Sequence, residues 1–226
     1  IMDKLIFVGG SKGGTGKSTV CGAVLDYLIQ QKKKPLLIES DGTNPDVWKA
    51  YKDSCDNIVL NLDEAEGWIE LINVADRTKG RPVVVNTAAR NSAGVERYGE
   101  TLRSTLKELN RELTTLWVIN RQRDSLELLA DYLDALPEGQ THVIRNTYWG
   151  EPQKFEMYAG SAVRKRVEAA GGKSLDFPDL ADRVSDALVG KRLTIEAAVR
   201  ELPIGDRAEL LRWRAAAGKV LGEVLT

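Results

Sequence analysis

Short apolar runs recur along the chain at intervals too wide for β-hairpins. The runs occupy residues 5–8, 36–38, 83–85, 116–119 and 143–144. Each run is continuously apolar, whereas a strand with one face in water would alternate apolar and polar residues. The pattern therefore predicts strands of a sheet that is covered on both faces.

Stretches with helical spacing lie between these runs. Residues 18–31, 101–109 and 126–136 each repeat apolar side chains on one helix face, and Pro137 closes the third stretch. Strands that alternate with helices imply βαβ units, so we predict an α/β fold with a doubly wound, mainly parallel sheet flanked by helices. Right-handed crossovers then place the loops after the strands along one edge, where ligands usually bind.

The pattern changes near residue 190. Two apolar stripes with helical spacing, at 195–202 and 210–224, follow one another around Pro203 with no strand between them. We therefore expect a domain at residues 2–190 and a C-terminal helical extension at 191–226, packed on the core or on a partner.

Composition excludes several classes of protein. The chain has 226 residues with 29% charged residues and a net charge of -1, so a uniformly basic nucleic-acid binder is excluded, although a local basic patch is not. Two cysteines and one histidine are too few for a disulfide scaffold, and they argue against a Cys/His zinc site. No apolar run approaches the ~18 residues of a spanning helix. The N-terminus leads directly into a strand, so we expect no secretory signal and a cytoplasmic location.

A glycine-rich loop between the first strand and the first helix is the most specific motif. Glycines allow several backbone N–H groups to converge on phosphate oxygens, and the positive end of the following helix adds to the attraction. We expect Lys17 on the β- and γ-phosphates and the Ser18 hydroxyl on Mg²⁺. The predicted nucleotide-binding residues are Gly13, Gly14, Thr15, Gly16, Lys17, Ser18 and Thr19.

The loop departs from the strict pattern G-x-x-x-x-G-K-S/T at Ser11, where glycine is usual. It fits K-G-G-x-G-K-S/T-S/T, which a second lysine, Lys12, opens. The sequence here resembles the deviant Walker A family of P-loop ATPases, the ParA/MinD group. In that family the additional lysine reaches the partner's phosphates across a nucleotide-sandwich dimer. The resemblance implies ATP and Mg²⁺ as cofactors, a homodimer formed with ATP, and a catalytic role for Lys12 and Lys17. A surface lysine that only adds charge is the alternative for Lys12.

Residues 36–44 resemble the second strand and first switch of that family. Asp41 matches the acidic residue that orients the attacking water and helps to organise Mg²⁺, so the resemblance makes it a catalytic and metal-binding candidate. Glu39 stands where the family usually has its first aspartate. The alternative is that Asp41 only caps a turn with Gly42.

Residues 83–89 resemble the Walker B strand and second switch, with Asn86 in place of the usual acid. An amide still accepts a hydrogen bond from a metal-bound water but supplies no negative charge. We therefore expect a weak ATPase. If the missing acid limits the rate, Asn86→Asp should raise turnover.

Residues 141–146 resemble the strand whose terminal asparagine reads the adenine edge, which assigns that role to Asn146 and favours ATP over GTP. Asn120, after the run at 116–119, is the competing candidate. Residues 177–180 could pack near the base, as the loop after the last strand does in relatives.

Two basic regions suggest partners. Residues 164–166, with Arg145 and Lys154 upstream, could touch DNA phosphates without sequence preference, although a charged helix face is the favoured interpretation. The terminal helix also carries basic residues, but the small residues at 215–218 make a weak lipid-facing surface, which disfavours membrane binding.

Together these features predict an ATP-binding, slowly hydrolysing switch that dimerises with ATP. Such proteins act in plasmid or DNA segregation, in mobilisation, or in positioning a complex, with the help of a protein partner. The divergent switches favour a plasmid segregation or mobilisation branch. The alternatives are an ATP-dependent small-molecule kinase or ligase, and a nucleotide-bound interaction module with little hydrolysis.

Overall fold

In the part of the chain that the structure describes, seven parallel strands form one central sheet, in the order β3-β2-β4-β1-β5-β6-β7. The computed structural model describes residues 3–11, 14–88 and 92–226. The strands are β1 (Asp3–Gly10), β2 (Leu36–Glu39), β3 (Asp56–Val59), β4 (Val83–Asn86), β5 (Arg111–Ile119), β6 (Gln140–Asn146) and β7 (Ser174–Phe177). The predicted α/β fold with a parallel, doubly wound sheet is thereby confirmed.

Helices connect the strands and cover both faces of the sheet. They are α1 (Lys17–Gln30), α2 (Asp46–Tyr51), α3 (Ala65–Arg77), α4 (Ser92–Leu109), α5 (Arg123–Ala135), α6 (Glu156–Ala159), α7 (Ala162–Ala169), α8 (Asp182–Lys191), α9 (Ile195–Glu201) and α10 (Ile204–Leu225). Two short 3₁₀ turns, Thr147–Trp149 and Pro152–Lys154, follow β6. The helix predicted at 101–109 begins nine residues earlier than the sequence pattern indicated, at Ser92.

Alternation along the strands separates two cores. Leu37 and Val84 lie in the cluster beneath α1, whereas Ile38 and Val85 lie in the cluster on the opposite face, which α3, α4 and α5 cover. Because side chains two positions apart in a strand point to the same face, this alternation also fixes where the polar residues at the strand ends point.

The C-terminal helices pack against the α1 face. The apolar stripe of α10, including Trp213 and Leu221, is buried in the same cluster as α1. Trp213 Nε1 donates to the carbonyl of Pro178 at 2.8 Å, in the loop after β7. The domain boundary near residue 190 stays a prediction. Within the described ranges, no helix combines the length and apolarity needed to cross a bilayer.

Candidate nucleotide-binding site

The glycine-rich loop joins β1, the central strand of the sheet, to the N-terminus of α1. Gly14 and Gly16 have φ angles of 89° and 99°, a region that favours glycine, and Gly16 is the N-cap of α1. A Cβ at Gly16 would also come within 2.3 Å of Asn146 Nδ2. The loop thus needs glycine at position 16 for both conformation and space. Lys12 and Gly13 lie outside the described residues.

Lys17, at the end of the loop, is hydrogen-bonded back to its beginning. Its side chain is buried, and Nζ donates to the backbone carbonyl of Ser11 at 2.8 Å. Burial lowers the pKa of Lys17, and the nearby Asp41 carboxylate acts in the opposite direction. Asp41 and Lys17, 24 positions apart in the sequence, are therefore close enough to interact electrostatically, and their roles in the site stay a prediction.

A chain of hydrogen bonds holds the start of the loop to the neighbouring strand end. Ser11 Oγ lies 2.7 Å from Ser125 Oγ, and Ser125 Oγ donates to Asn120 Oδ1, also at 2.7 Å. Ser11, which replaces the usual glycine, is only 2% exposed, and Ser125 supplies the hydrogen-bond partner that its buried hydroxyl needs. The substitution at Ser11 is visible in the sequence, whereas no local pattern indicates Ser125.

Asn146 contacts the other side of the loop. Its Nδ2 donates to the carbonyl of Thr15 at 2.8 Å, and its Oδ1 accepts from Tyr148 N at 3.2 Å. The structure thus brings Asn146 to the nucleotide loop. Its role as reader of the adenine edge stays a prediction, and so does the competing assignment to Asn120.

The first switch segment folds into a tight turn after β2. Asp41 Oδ1 accepts hydrogen bonds from Thr43 N at 3.2 Å, Thr43 Oγ1 at 2.7 Å and Asn44 N at 3.0 Å. This is the turn-capping role that the sequence left open for Asp41, and its place beside Lys17 is compatible with the functional role as well.

Ser40 joins the two switch segments. Its Oγ donates to the carbonyl of Asn86 at 3.0 Å and accepts from Ala88 N at 2.9 Å. Ser40 thus links the two segments through hydrogen bonds.

Glu39 and Asn86 face each other across the strand ends. They are paired in the register of β2 and β4, and Asn86 Nδ2 lies 3.0 and 3.2 Å from the two carboxylate oxygens of Glu39. Burial raises the pKa of Glu39, and hydrogen bonds from Asp41 N, Asn86 Nδ2 and Trp48 N oppose that effect. Burial first, and the Glu39 carboxylate second, raise the pKa of the Cys21 thiol on α1. Leu37, two positions before Glu39 on β2, packs in the cluster beneath α1, so Glu39 faces the same helix.

The residues at this edge suit a magnesium ion. Ser18 is exposed in the first turn of α1, and Asp41 offers a carboxylate. Within the described part of the chain, the buried Asn86 Oδ1 has no hydrogen-bond partner. Hydroxyl, carboxylate and amide oxygens are the donors that Mg²⁺ prefers. Bound there, the ion would neutralise phosphate charge.

A glycine-rich loop between the central strand of a parallel sheet and a helix, with a buried lysine after its last glycine, defines a P-loop nucleotide-binding protein. Comparison with family models agrees, because the model described as "CobQ/CobB/MinD/ParA nucleotide binding domain" matches residues 6–147. The chain belongs to this family.

Two relatives match over most of the chain. Protein MobD of Acidithiobacillus ferrooxidans is 59% identical over 225 residues, which cover 99% of each chain. Protein TraL of Escherichia coli is 25% identical over 218 residues, which cover 88% of each chain.

Solved structures show the same fold. The MinC:MinD cell division protein complex of Aquifex aeolicus matches with a TM-score of 0.56 and 16% identity, over 97% of this chain and 96% of that one. The septum site-determining protein MinD of Pyrococcus horikoshii, complexed with Mg-ADP, matches with a TM-score of 0.55 and 17% identity, over 99% and 96%. At this identity the likeness concerns the fold.

Proposed function

We propose that the protein is an ATP-binding switch that dimerises with ATP, hydrolyses it slowly, and acts in plasmid or DNA segregation, in mobilisation, or in positioning a complex. The observation that carries the proposal is the loop at the central strand, with Lys17 buried against Ser11 and Asp41 in electrostatic contact. Similarity to Protein MobD over 99% of each chain supports the mobilisation branch of this proposal.

Different residues of the chain bind the nucleotide, hold the metal ion and assist hydrolysis. Lys17 and the loop N–H groups bind the phosphates, and Ser18 and Asp41 hold Mg²⁺. Asp41 orients the attacking water, and Lys12 reaches the phosphates of the second protomer. Hydrolysis is slow because the oxygen of Asn86 is neutral and because Asp41 Oδ1 is held in its turn by Thr43 and Asn44.

The arginines of the basic region are already paired with acidic residues of the chain, which favours a protein partner over DNA. Arg164 pairs with Glu168 at 2.7 Å, Arg166 with Asp134 at 2.6 Å, and Arg145 with Asp176 at 2.7 Å. Phosphate contacts would have to replace these ion pairs. Support for a protein partner comes from the fold neighbour MinD, which is solved in complex with MinC.

The test is the mass in solution by light scattering, without nucleotide, with Mg-ADP, and with a non-hydrolysable Mg-ATP analogue. We expect a monomer that doubles in mass only with the analogue. Lys17→Ala should lose nucleotide binding, whereas Lys12→Ala should keep much of it and lose the dimer. Lys33→Ala, an exposed lysine near the end of α1, is the matched control and should behave as the wild type.

Each part of the proposal has an outcome that would overturn it. A Lys12→Ala protein that dimerises normally contradicts the role of Lys12 across the dimer. Unchanged turnover of Asp41→Ala removes Asp41 from hydrolysis. A wild-type mass that does not change despite demonstrated binding contradicts the switch and points to a metabolite enzyme or a constitutive module.

A further inference from the structure

Asn86 leaves the nucleotide site without the acid that the family usually places there, and a buried acid lies directly beside it. Glu39 is fully buried and Asn86 is 3% exposed, and the two are neighbours on β2 and β4. The separation along the chain is 47 residues, so only the strand order brings them together.

Both side chains point toward the helix that begins at the nucleotide loop. Glu39 follows Leu37 by two positions and Asn86 follows Val84 by two, and both apolar residues lie in the cluster beneath α1. Glu39 interacts electrostatically with Cys21, which lies three residues after Ser18 on α1. The backbone N–H of Asp41 donates to Glu39 Oε1 at 3.1 Å, so the pair adjoins the residue proposed to hold Mg²⁺.

The hydrogen bonds fix the orientation of the Asn86 amide. Nδ2 contacts both oxygens of Glu39, and exchanging the amide atoms would place an oxygen against a carboxylate. Oδ1 therefore points away from Glu39, and among the residues that the structure describes it is buried without a partner. A buried acceptor without a donor is costly, so this oxygen is suited to a ligand or its water.

We propose that Glu39 and Asn86 act as one unit, in which Glu39 supplies the negative charge beside the magnesium site and Asn86 presents an oxygen to the hydration shell of the ion. The donation from Asn86 Nδ2 to the carboxylate polarises the amide and makes Oδ1 a better acceptor. Glu39 is then a positioning residue. This inference rests on the proposed nucleotide site.

The experiment measures the affinity for ADP in excess Mg²⁺ and in EDTA. The ratio of the affinity in Mg²⁺ to that in EDTA is then compared among variants. Partners one step removed from a metal typically contribute about 10- to 100-fold to its affinity. We therefore expect Glu39→Gln to reduce the ratio by about tenfold or more. Glu39→Gln combined with Asn86→Asp moves the carboxylate across the pair and should recover most of the ratio.

Two further variants separate charge from folding. Glu39→Asp keeps the charge and should keep the ratio within about threefold of the wild type, well inside the loss expected for a missing partner. Asp46→Asn removes a charge from the same segment, where Asp46 bonds Asn44 and Lys49, and should leave the ratio unchanged. Urea unfolding of each variant establishes that it is folded. Asn86→Asp alone puts two carboxylates about 3 Å apart, and their repulsion would disturb the pair whatever its role. The recovery in the Glu39→Gln background is therefore the deciding result.

The possible results distinguish the inference from the proposed function. A wild-type ratio for Glu39→Gln, a double variant that folds but recovers nothing, or a Glu39→Asp variant as impaired as Glu39→Gln would each overturn the paired role. A wild-type protein that binds ADP equally with and without Mg²⁺ overturns it too, while nucleotide binding stands. Absence of any ADP binding by the wild type overturns the proposed function, and the inference with it.

Discussion

At the scale of single residues, Gly16 is the position where the nucleotide loop has least freedom. Gly14 and Gly16 both have positive φ, but an added Cβ at Gly14 would meet no described atom within 4 Å, whereas at Gly16 it would meet Asn146 Nδ2 at 2.3 Å. Gly14→Ala should therefore cost about 1 to 2 kcal/mol of unfolding free energy from backbone strain alone. Gly16→Ala should cost more, because the bond from Asn146 to Thr15 is lost as well.

Urea unfolding and ADP affinity of the two variants check this difference. We expect Gly16→Ala to lose about 1 kcal/mol or more beyond Gly14→Ala, the value of one hydrogen bond. Equal losses in stability would show that Asn146 makes room and that the contact is not a constraint.

At the residue scale, the sequence alone indicates those features whose determinants are local. The loop glycines and Lys17 are contiguous, so backbone freedom and charge could be assigned without knowing the fold. The contact of Ser11 with Ser125 spans 114 positions, and the pair of Glu39 and Asn86 depends on which strands are neighbours. No local pattern encodes either contact.

At the scale of elements, an ion pair between the buried Asp26 of α1 and the half-buried Arg214 of α10 joins the two helices, and Arg214 also pairs with Glu196 of α9 at 2.9 Å. Arg214 Nη2 and Nε lie 2.7 and 2.8 Å from the two oxygens of Asp26, and the two side chains are 14% and 5% exposed. Arg214→Met would leave a buried carboxylate without its cation, so we expect a loss of about 3 kcal/mol in unfolding free energy.

Arg212 is the matched control on the same helix. It pairs with Glu209 at 2.7 Å but is 58% exposed, so Arg212→Met should cost less than about 1 kcal/mol. Adding Asp26→Asn to Arg214→Met should recover part of the loss. Equal costs for the two arginine variants, measured by urea unfolding, would contradict a stabilising role for the pair of Arg214 and Asp26.

The apolar pattern of the sequence does not predict the two edge strands of the sheet, for a physical reason. Continuous apolarity identifies strands covered on both faces, but β3 and β7 are edge strands whose sequences, DNIV and SLDF, contain polar residues. The first half of α4 was missed because glycines lower helix propensity. Gly94 is needed there because a Cβ would come within 2.0 Å of the Leu62 carbonyl oxygen.

At the scale of the whole molecule, we expect the buried His142 to make stability depend on pH. It lies 2% exposed on β6, where Nδ1 accepts from Lys173 N at 3.1 Å. Burial, together with the charges of Lys173 and Lys4 and against that of Glu112, lowers the pKa of His142 from its ordinary 6.5 to about 4. The unfolded chain therefore binds the proton first as the pH falls. The contribution of neutral His142 is complete above pH 6.5 and is lost progressively toward pH 4.

Integration over this window gives about 2 kcal/mol lower unfolding free energy at pH 5 than at pH 8 from this one group. His142→Asn keeps an acceptor near the position of Nδ1 but does not titrate, so it serves as the reference. In urea titrations at several pH values, the wild-type advantage over His142→Asn should shrink by about that amount as the pH falls. Carboxyl groups titrate in both proteins and cancel in the difference. Because the chain has a single histidine, a difference that stays constant with pH would mean that the folded protein accommodates the protonated ring.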